Sequence, residues 1–146
     1  MTAVLPAVAA AVLVLDQWSK RLVLRSLAPA GLPGLRLTLN GRLGRAPAPA
    51  LIALWGLTAA GVVLAIRSGP FAVPLAEVGL AGALGGAAGN LLDGLRRGVV
   101  VDFVAIWRWP PFNLADAAIV TGVGLALLAT LGPRRAASPP ADCPRP

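Results

Sequence analysis

The sequence contains no histidine, one cysteine (Cys143), one lysine and only six acidic residues among 146. Each shortage removes a chemistry. Without histidine there is no His-assisted serine or cysteine nucleophile. An ordinary zinc site, which draws on several Cys or His ligands, cannot be assembled either. A single cysteine cannot close an intrachain disulfide. A Ser–Lys pair fails on geometry, because the lysine is Lys20 and its nearest serine is Ser19. Adjacent helical positions point about 100° apart. Ser26, Ser68 and Ser138 lie in expected loops or the tail, away from any general base. Carboxylates, amides, hydroxyls and arginines remain.

Charge is scarce as well. Charged residues make up 13% and hydrophobic residues 57%, with 17 glycines besides and a mean hydropathy of +0.77. Soluble domains carry about 25% charged residues, and this chain has too much apolar surface for a water-surrounded core. Four long apolar stretches are present: Thr2–Leu15, continuing past Asp16; Ala46–Ile66; Pro70–Leu92, broken only by Glu77; and Ala117–Gly132, which follows Asp116. Crossing ~30 Å of hydrocarbon takes about 20 helical residues. The expected fold is an all-α membrane protein with four transmembrane helices, at about 2–24, 46–66, 70–95 and 114–132, in a single domain over 1–132. The first stretch lacks a basic leading region and runs on across an acid, so it reads as a retained helix and not a cleaved signal. The tail 133–146 holds five prolines and is expected to be disordered.

Two connecting segments have strand character. Leu35-Arg36-Leu37-Thr38-Leu39 alternates with period two and runs into Asn40-Gly41, a hairpin-turn dipeptide. This predicts a small β-ribbon on the membrane surface, between the first two helices, with Arg42–Arg45 as its return strand. Val99–Ile106 is β-branched and aromatic and is expected to be extended.

The acids lie where a membrane protein rarely keeps them. An Asp at a helix centre costs about 2.5–3.5 kcal/mol on insertion scales, which makes intramembrane carboxylates functional candidates. The plain alternative is an ion pair that holds helices together, and it fits several of them. Asp16 has Lys20 one turn on, with a stem long enough to snorkel to headgroups. Asp93 has Arg96 and Arg97 at the next turn. Glu77 has no basic neighbour within a turn, and its role stays open. Asp102 and Asp116 differ, since each sits in an apolar run with no basic residue at helical spacing. Two such carboxylates brought together cannot both ionise cheaply and would share a proton. One then serves as general base on water while the other, protonated, polarises a carbonyl. Spacing alone leaves open whether the two meet.

Four motifs carry a resemblance. Asp16-Gln17-Trp18-Ser19-Lys20 resembles the D-x-x-K motif of the bacterial lipoprotein signal peptidases (signal peptidase II). Gly89-Asn90-Leu91-Leu92-Asp93 and Val101-Asp102-Phe103 resemble the family's G-N-x-x-D-R and V-D-F motifs. Phe112-Asn113-Leu114-Ala115-Asp116 matches F-N-x-A-D. The resemblance covers roughly residues 5–132. It implies a membrane aspartic endopeptidase that removes the signal peptide of diacylglyceryl-modified prolipoproteins just before the lipidated cysteine. By motif match, Asp102 and Asp116 are its catalytic pair. Asn90, Asn113 and Asn40 are its positioning amides, Asp93 a supporting acid, and Asp16 with Lys20 a structural pair. No metal or organic cofactor is implied; the implied partners are lipid-modified prolipoproteins and membrane phospholipid and not nucleic acid, and the chain is expected to act as a monomer. Two positions depart from the pattern: Gly94 stands where the family has Arg, and the N-x-G-x-x-F loop is reduced to Asn40-Gly41-Arg42-Leu43-Gly44-Arg45. Arg97 is the candidate substitute for the missing guanidinium.

Orientation pulls two ways. Four basic residues (Arg67, Arg134, Arg135, Arg145) fall on the side of the termini and nine on the other. The positive-inside rule would therefore place the termini outside. The resemblance implies the opposite: termini in the cytoplasm and the site toward the extracytoplasmic face of the bacterial cell membrane. Two other functions compete, a weakly catalytic homologue that binds lipidated substrate and a proton or ion conduit through Asp16, Glu77, Asp93 and Asp116. A conduit needs acids stepped through the membrane depth, whereas the motif acids crowd toward one end of the expected helices.

Overall fold

The computed structural model describes residues 4–27, 35–41, 45–69 and 71–131. The expectation for the tail lies outside these, as do residues 42–44 of the expected return strand Arg42–Arg45. Helix α1 (Val4–Leu22) passes into a π-helical turn (Val23–Leu27). Strand β1 (Leu35–Asn40), helices α2 (Ala48–Arg67) and α3 (Pro74–Arg97), strand β2 (Val100–Val104) and helix α4 (Leu114–Leu131) follow. Helices α2, α3 and α4 are long and apolar enough to cross a membrane. Helix α1 is of similar length, but Asp16, Lys20 and Arg21 sit in its last two turns.

Helix α3 is the centre of the bundle and packs on α1 and α4. Its ends follow from its sequence. Pro74 opens it, where a missing N–H costs nothing, and Gly98 closes it in the left-handed conformation at φ 68°. Between them, small residues let backbones touch. A Cβ on Gly79 would lie 2.5 Å from the Gly122 carbonyl oxygen of α4, so these helices meet through bare glycine. Helix α2 has no buried residue and turns its apolar side chains outward, as a lipid-facing helix does.

The β-ribbon forms with a different partner from the one the sequence suggested. β1 pairs antiparallel with β2, with Thr38 opposite Asp102 and Asn40 opposite Val100, and the register breaks between Leu35 and Thr38. The strand after the first helix is therefore joined to the connection between the last two. The reason is burial. Val100 and Val101 are almost completely buried, and this β-branched run is a better strand than the arginine-flanked residues after Gly41. Val99–Ile106 was expected to be extended, and β2 occupies its middle. Beyond β2, Val104 bridges to Phe112. The Val104 N–H donates to the Phe112 carbonyl at 2.9 Å and the Phe112 N–H donates back at 3.0 Å. The Trp/Pro loop 105–111 is thus closed at its base.

Candidate active site

The site is assembled at the end of the bundle where α1 and α3 finish and α4 begins. Asn113, the residue before α4, and Asp116 in its first turn form a reciprocal cap. The Asp116 N–H donates to Asn113 Oδ1 at 3.0 Å, and the Asn113 N–H donates to Asp116 Oδ2 at 3.1 Å. This is the capping-box geometry, with Asn and Asp in the roles of Ser/Thr and Glu. The local chemistry of helix initiation therefore fixes the orientation of one acid of the pair.

Asn113 also fixes the other. Its Nδ2 donates to Asp102 Oδ1 at 2.8 Å and to Asn90 Oδ1 at 3.0 Å. Asn90 Nδ2 donates in turn to Asp116 Oδ1 at 2.7 Å. Asn40, the last residue of β1, hydrogen-bonds Asp102 from the neighbouring strand. The structure thus brings Asp102, Asp116, Asn90, Asn113 and Asn40 into one cluster, drawn from α3, α4 and both strands. Burial is the first cause that pushes the Asp102 carboxyl above the ordinary range, and the nearby Asp116 charge is the second. The hydrogen bonds from Asn113 and Asn40 pull it down by less.

Beneath the pair lies a charged layer that is wholly buried. Lys20 Nζ lies 2.8 Å from Asp16 Oδ2 and 2.8 Å from Asp93 Oδ2, and donates to Asn90 Oδ1 at 3.0 Å. Lys20, Asp16 and Asp93 are all 0% exposed. Lys20 does not snorkel to headgroups, because two carboxylates and an amide satisfy its three donors inside the bundle. Asp16 Oδ1 accepts the Ala115 N–H at 3.0 Å, so α1 caps the N-terminus of α4. Arg97 reaches back one turn to form an ion pair with Asp93, and Asp93 accepts the Val101 N–H of β2 at 3.5 Å.

One member of this layer, Gln17, has no assigned role in the sequence reading. Its Nε2 donates to Asp93 at 3.0 Å, to the Gly89 carbonyl at 3.2 Å and to Asp16 at 3.3 Å. The available signal was an amide beside the motif Asp at the end of an apolar run. Gly89 is equally constrained, because a Cβ there would fall 2.5 Å from Asp16 Oδ2. Among the described residues no group of three or more His, Cys, Asp or Glu side chains is placed to hold a metal ion.

The family model described as "Signal peptidase (SPase) II" matches residues 8–132. The lipoprotein signal peptidase of Rhodococcus jostii is 36% identical over 139 residues, covering 85% of this chain and 70% of that protein. That of Geobacillus kaustophilus is 37% identical, covering 80% and 85%. The Moorella thermoacetica relative is 55% identical over 62 residues, but the match spans only 41% of its length. A bacterial membrane enzyme solved by the in meso method at 2.3 Å resolution shares the fold. Its TM-score is 0.71 at 22% identity, with 86% of this chain and 85% of that one covered. With the family model matched along most of its length, the chain belongs to the signal peptidase II family.

Proposed function

We propose that this chain is a four-helix membrane aspartic endopeptidase that cuts diacylglyceryl-modified prolipoproteins immediately before the lipidated cysteine. The observation that carries the reading is the bridging of Asp102 and Asp116 by Asn113, whose side chain holds one and whose backbone N–H holds the other. Burial and the Asp116 charge favour the protonated form of Asp102. Asp116 accepts two N–H donors at a helix N-terminus, a setting that suits a carboxylate. Asp116 is therefore the base that removes a proton from water, while Asp102 donates its proton to the scissile carbonyl oxygen. The water oxygen bonds to the carbonyl carbon and gives a neutral gem-diol. Asp116 next passes its proton to the leaving nitrogen, and Asp102 takes one back from a diol hydroxyl as the C–N bond breaks. The products are the signal peptide, ending in a carboxyl group, and the lipoprotein, beginning with its modified cysteine.

In this reading all four helices cross the membrane, the termini are cytoplasmic, and the pair faces the extracytoplasmic side. Asn90, Asn113 and Asn40 position the carboxyls and the peptide. Asp16, Lys20 and Asp93 form their support, and Arg97 replaces the guanidinium missing at Gly94 by holding Asp93. The test is a gel-shift cleavage assay on a lipidated prolipoprotein with purified protein in detergent. Wild type cleaves, and Asp102→Asn and Asp116→Asn each lose ~10²–10⁴-fold in rate while remaining folded. Near-wild-type turnover by either variant removes the mechanism.

A further inference from the structure

Helices α1, α2 and α3 line a half-open cavity of about 670 Å³ that runs from the end of the bundle away from the acid pair up to Ala88. Its walls are apolar, with Leu5 and Leu13 of α1, Trp55 and Ile66 of α2, and Leu84 of α3. Two charged residues line it, Arg67 in the last turn of α2 and Glu77 in the first turn of α3. Glu77 is 6% exposed, and its Oε1 has no hydrogen-bond partner among the described residues. A buried acid oxygen without a donor is costly, and the cost falls when a ligand supplies the N–H.

The shape of the cavity narrows the ligand. Along α3 the lining runs from Glu77 to Ala88, about 16 Å at ~1.5 Å per residue. That is close to half of a ~30 Å hydrocarbon core, the depth of one leaflet. The cavity is a half-open apolar slot along α3 with a cation and an anion at the same end. This complements an amphiphile whose headgroup carries a phosphate, for Arg67, and an N–H-bearing ammonium, for Glu77.

We propose that this slot binds a phospholipid with a primary-amine headgroup, phosphatidylethanolamine in chemical class, from the leaflet on the side of the chain termini. One acyl chain lies between α2 and the α1–α3 pair, and the ammonium donates to Glu77. Helix α2 has no buried residue and packs weakly on α3, so the lipid supplies part of the packing that the protein lacks. The inference rests on the membrane-spanning reading above, but not on the acid-pair mechanism.

The test uses the full chain in nanodiscs of equimolar dioleoyl phosphatidylethanolamine, phosphatidylglycerol and phosphatidylcholine. Lipid retained after detergent extraction is read by native mass spectrometry. Wild type is expected to retain the ethanolamine lipid about tenfold over the choline lipid, the discrimination typical of a charged hydrogen bond. Glu77→Gln is nearly isosteric and is expected to abolish that preference while cleavage of prolipoprotein continues. Arg67→Ala is expected to lower retention of all three lipids. A retained profile equal to the bulk, a preference for phosphatidylglycerol, or an ethanolamine preference that survives Glu77→Gln overturns the proposal. A photoactivatable phosphatidylethanolamine probe gives a measurement independent of variants. Crosslinks at Leu13 and Leu84 support the slot, and crosslinks confined to α4 refute it. Cleavage with no lipid preference sinks this inference alone. Lipid preference without cleavage leaves it standing and removes the peptidase reading.

Discussion

Replacing Lys20 by Met isolates what the buried charged layer contributes. In the wild type the buried Lys20 and the partly exposed Arg97 oppose Asp16 and Asp93 through three ion pairs. Methionine preserves the length and apolar stem but removes the ammonium. Asp16 is then left with its hydrogen bonds alone, and two fully buried carboxylates share the single guanidinium on Asp93. Breaking a buried pair by removing one partner costs about 3–5 kcal/mol. For a chain of this size each kcal/mol moves the midpoint by about 2–4 °C, so Lys20→Met should melt roughly 6–20 °C below wild type in detergent. Cleavage should also fall, by roughly tenfold or more below the melting range. Asn90 Oδ1 loses one of its two donors, both at 3.0 Å, and Asn90 is what holds Asp116. The double variant Asp16→Asn/Lys20→Met removes a charge of each sign and should recover more than half of the lost stability. Lys20→Arg should not substitute, because a planar fork cannot meet three acceptors arranged around one nitrogen. A fall of less than about 3 °C for Lys20→Met would show that the layer is not held by charge.

Other outcomes follow from the same geometry. Because burial and the Asp116 charge raise the Asp102 pKa above its unfolded value, the folded state holds that proton more tightly. Stability from this group is complete below the unfolded pKa and is lost as pH rises through the raised one. Asp102→Asn should therefore melt higher than wild type at neutral pH, but not in acid, in thermal scans across pH. Cleavage by wild type should be bell-shaped in pH, with the alkaline limb set by loss of the Asp102 proton and two apparent pKa values belonging to the pair. A rate still rising in alkali would reverse the assignment of acid and base. Arg97→Ala should lower activity more than Arg96→Ala, since Arg97 holds Asp93, and Gly94→Arg should partly rescue it. A silent Arg97→Ala in the cleavage assay would end the substitution idea. Gly122→Ala drives a Cβ onto the Gly79 carbonyl and should cost about 1–3 kcal/mol by thermal unfolding, with little effect on the rate of the folded fraction.

Legibility in the sequence followed the range of the interaction. The helices were readable because a run of apolar residues ended by a charge such as Arg67 is a local signal, although α3 begins at Pro74 and not at Pro70. The Asp16–Lys20 spacing was equally local, and i to i+4 pairs are visible without a structure. What Lys20 does beyond Asp16 was not visible, because Asp93 and Asn90 approach it from another helix about seventy residues on in the chain. The ribbon misled for the same reason. Asn40-Gly41 is a strong short-range hairpin signal, whereas the actual partner of Asn40 is Val100, and strand pairing across that separation leaves no pattern in either segment. The reciprocal cap between Asn113 and Asp116 was legible in principle as an N-x-x-D start to an apolar helix.

The closed base of the Trp/Pro loop has a consequence for diversification. Val104 and Phe112 are clamped together by backbone bonds, so the ends of the loop are held whatever lies between them. Trp107 at the tip is 94% exposed, and nothing in the tip supports Asp102 or Asn113. Doubling the length of such a loop costs only about 0.6 kcal/mol in closure entropy. The segment is therefore an exchangeable cassette. Sequences grafted between Val104 and Phe112 are expected to leave the two carboxyls that flank the graft in place.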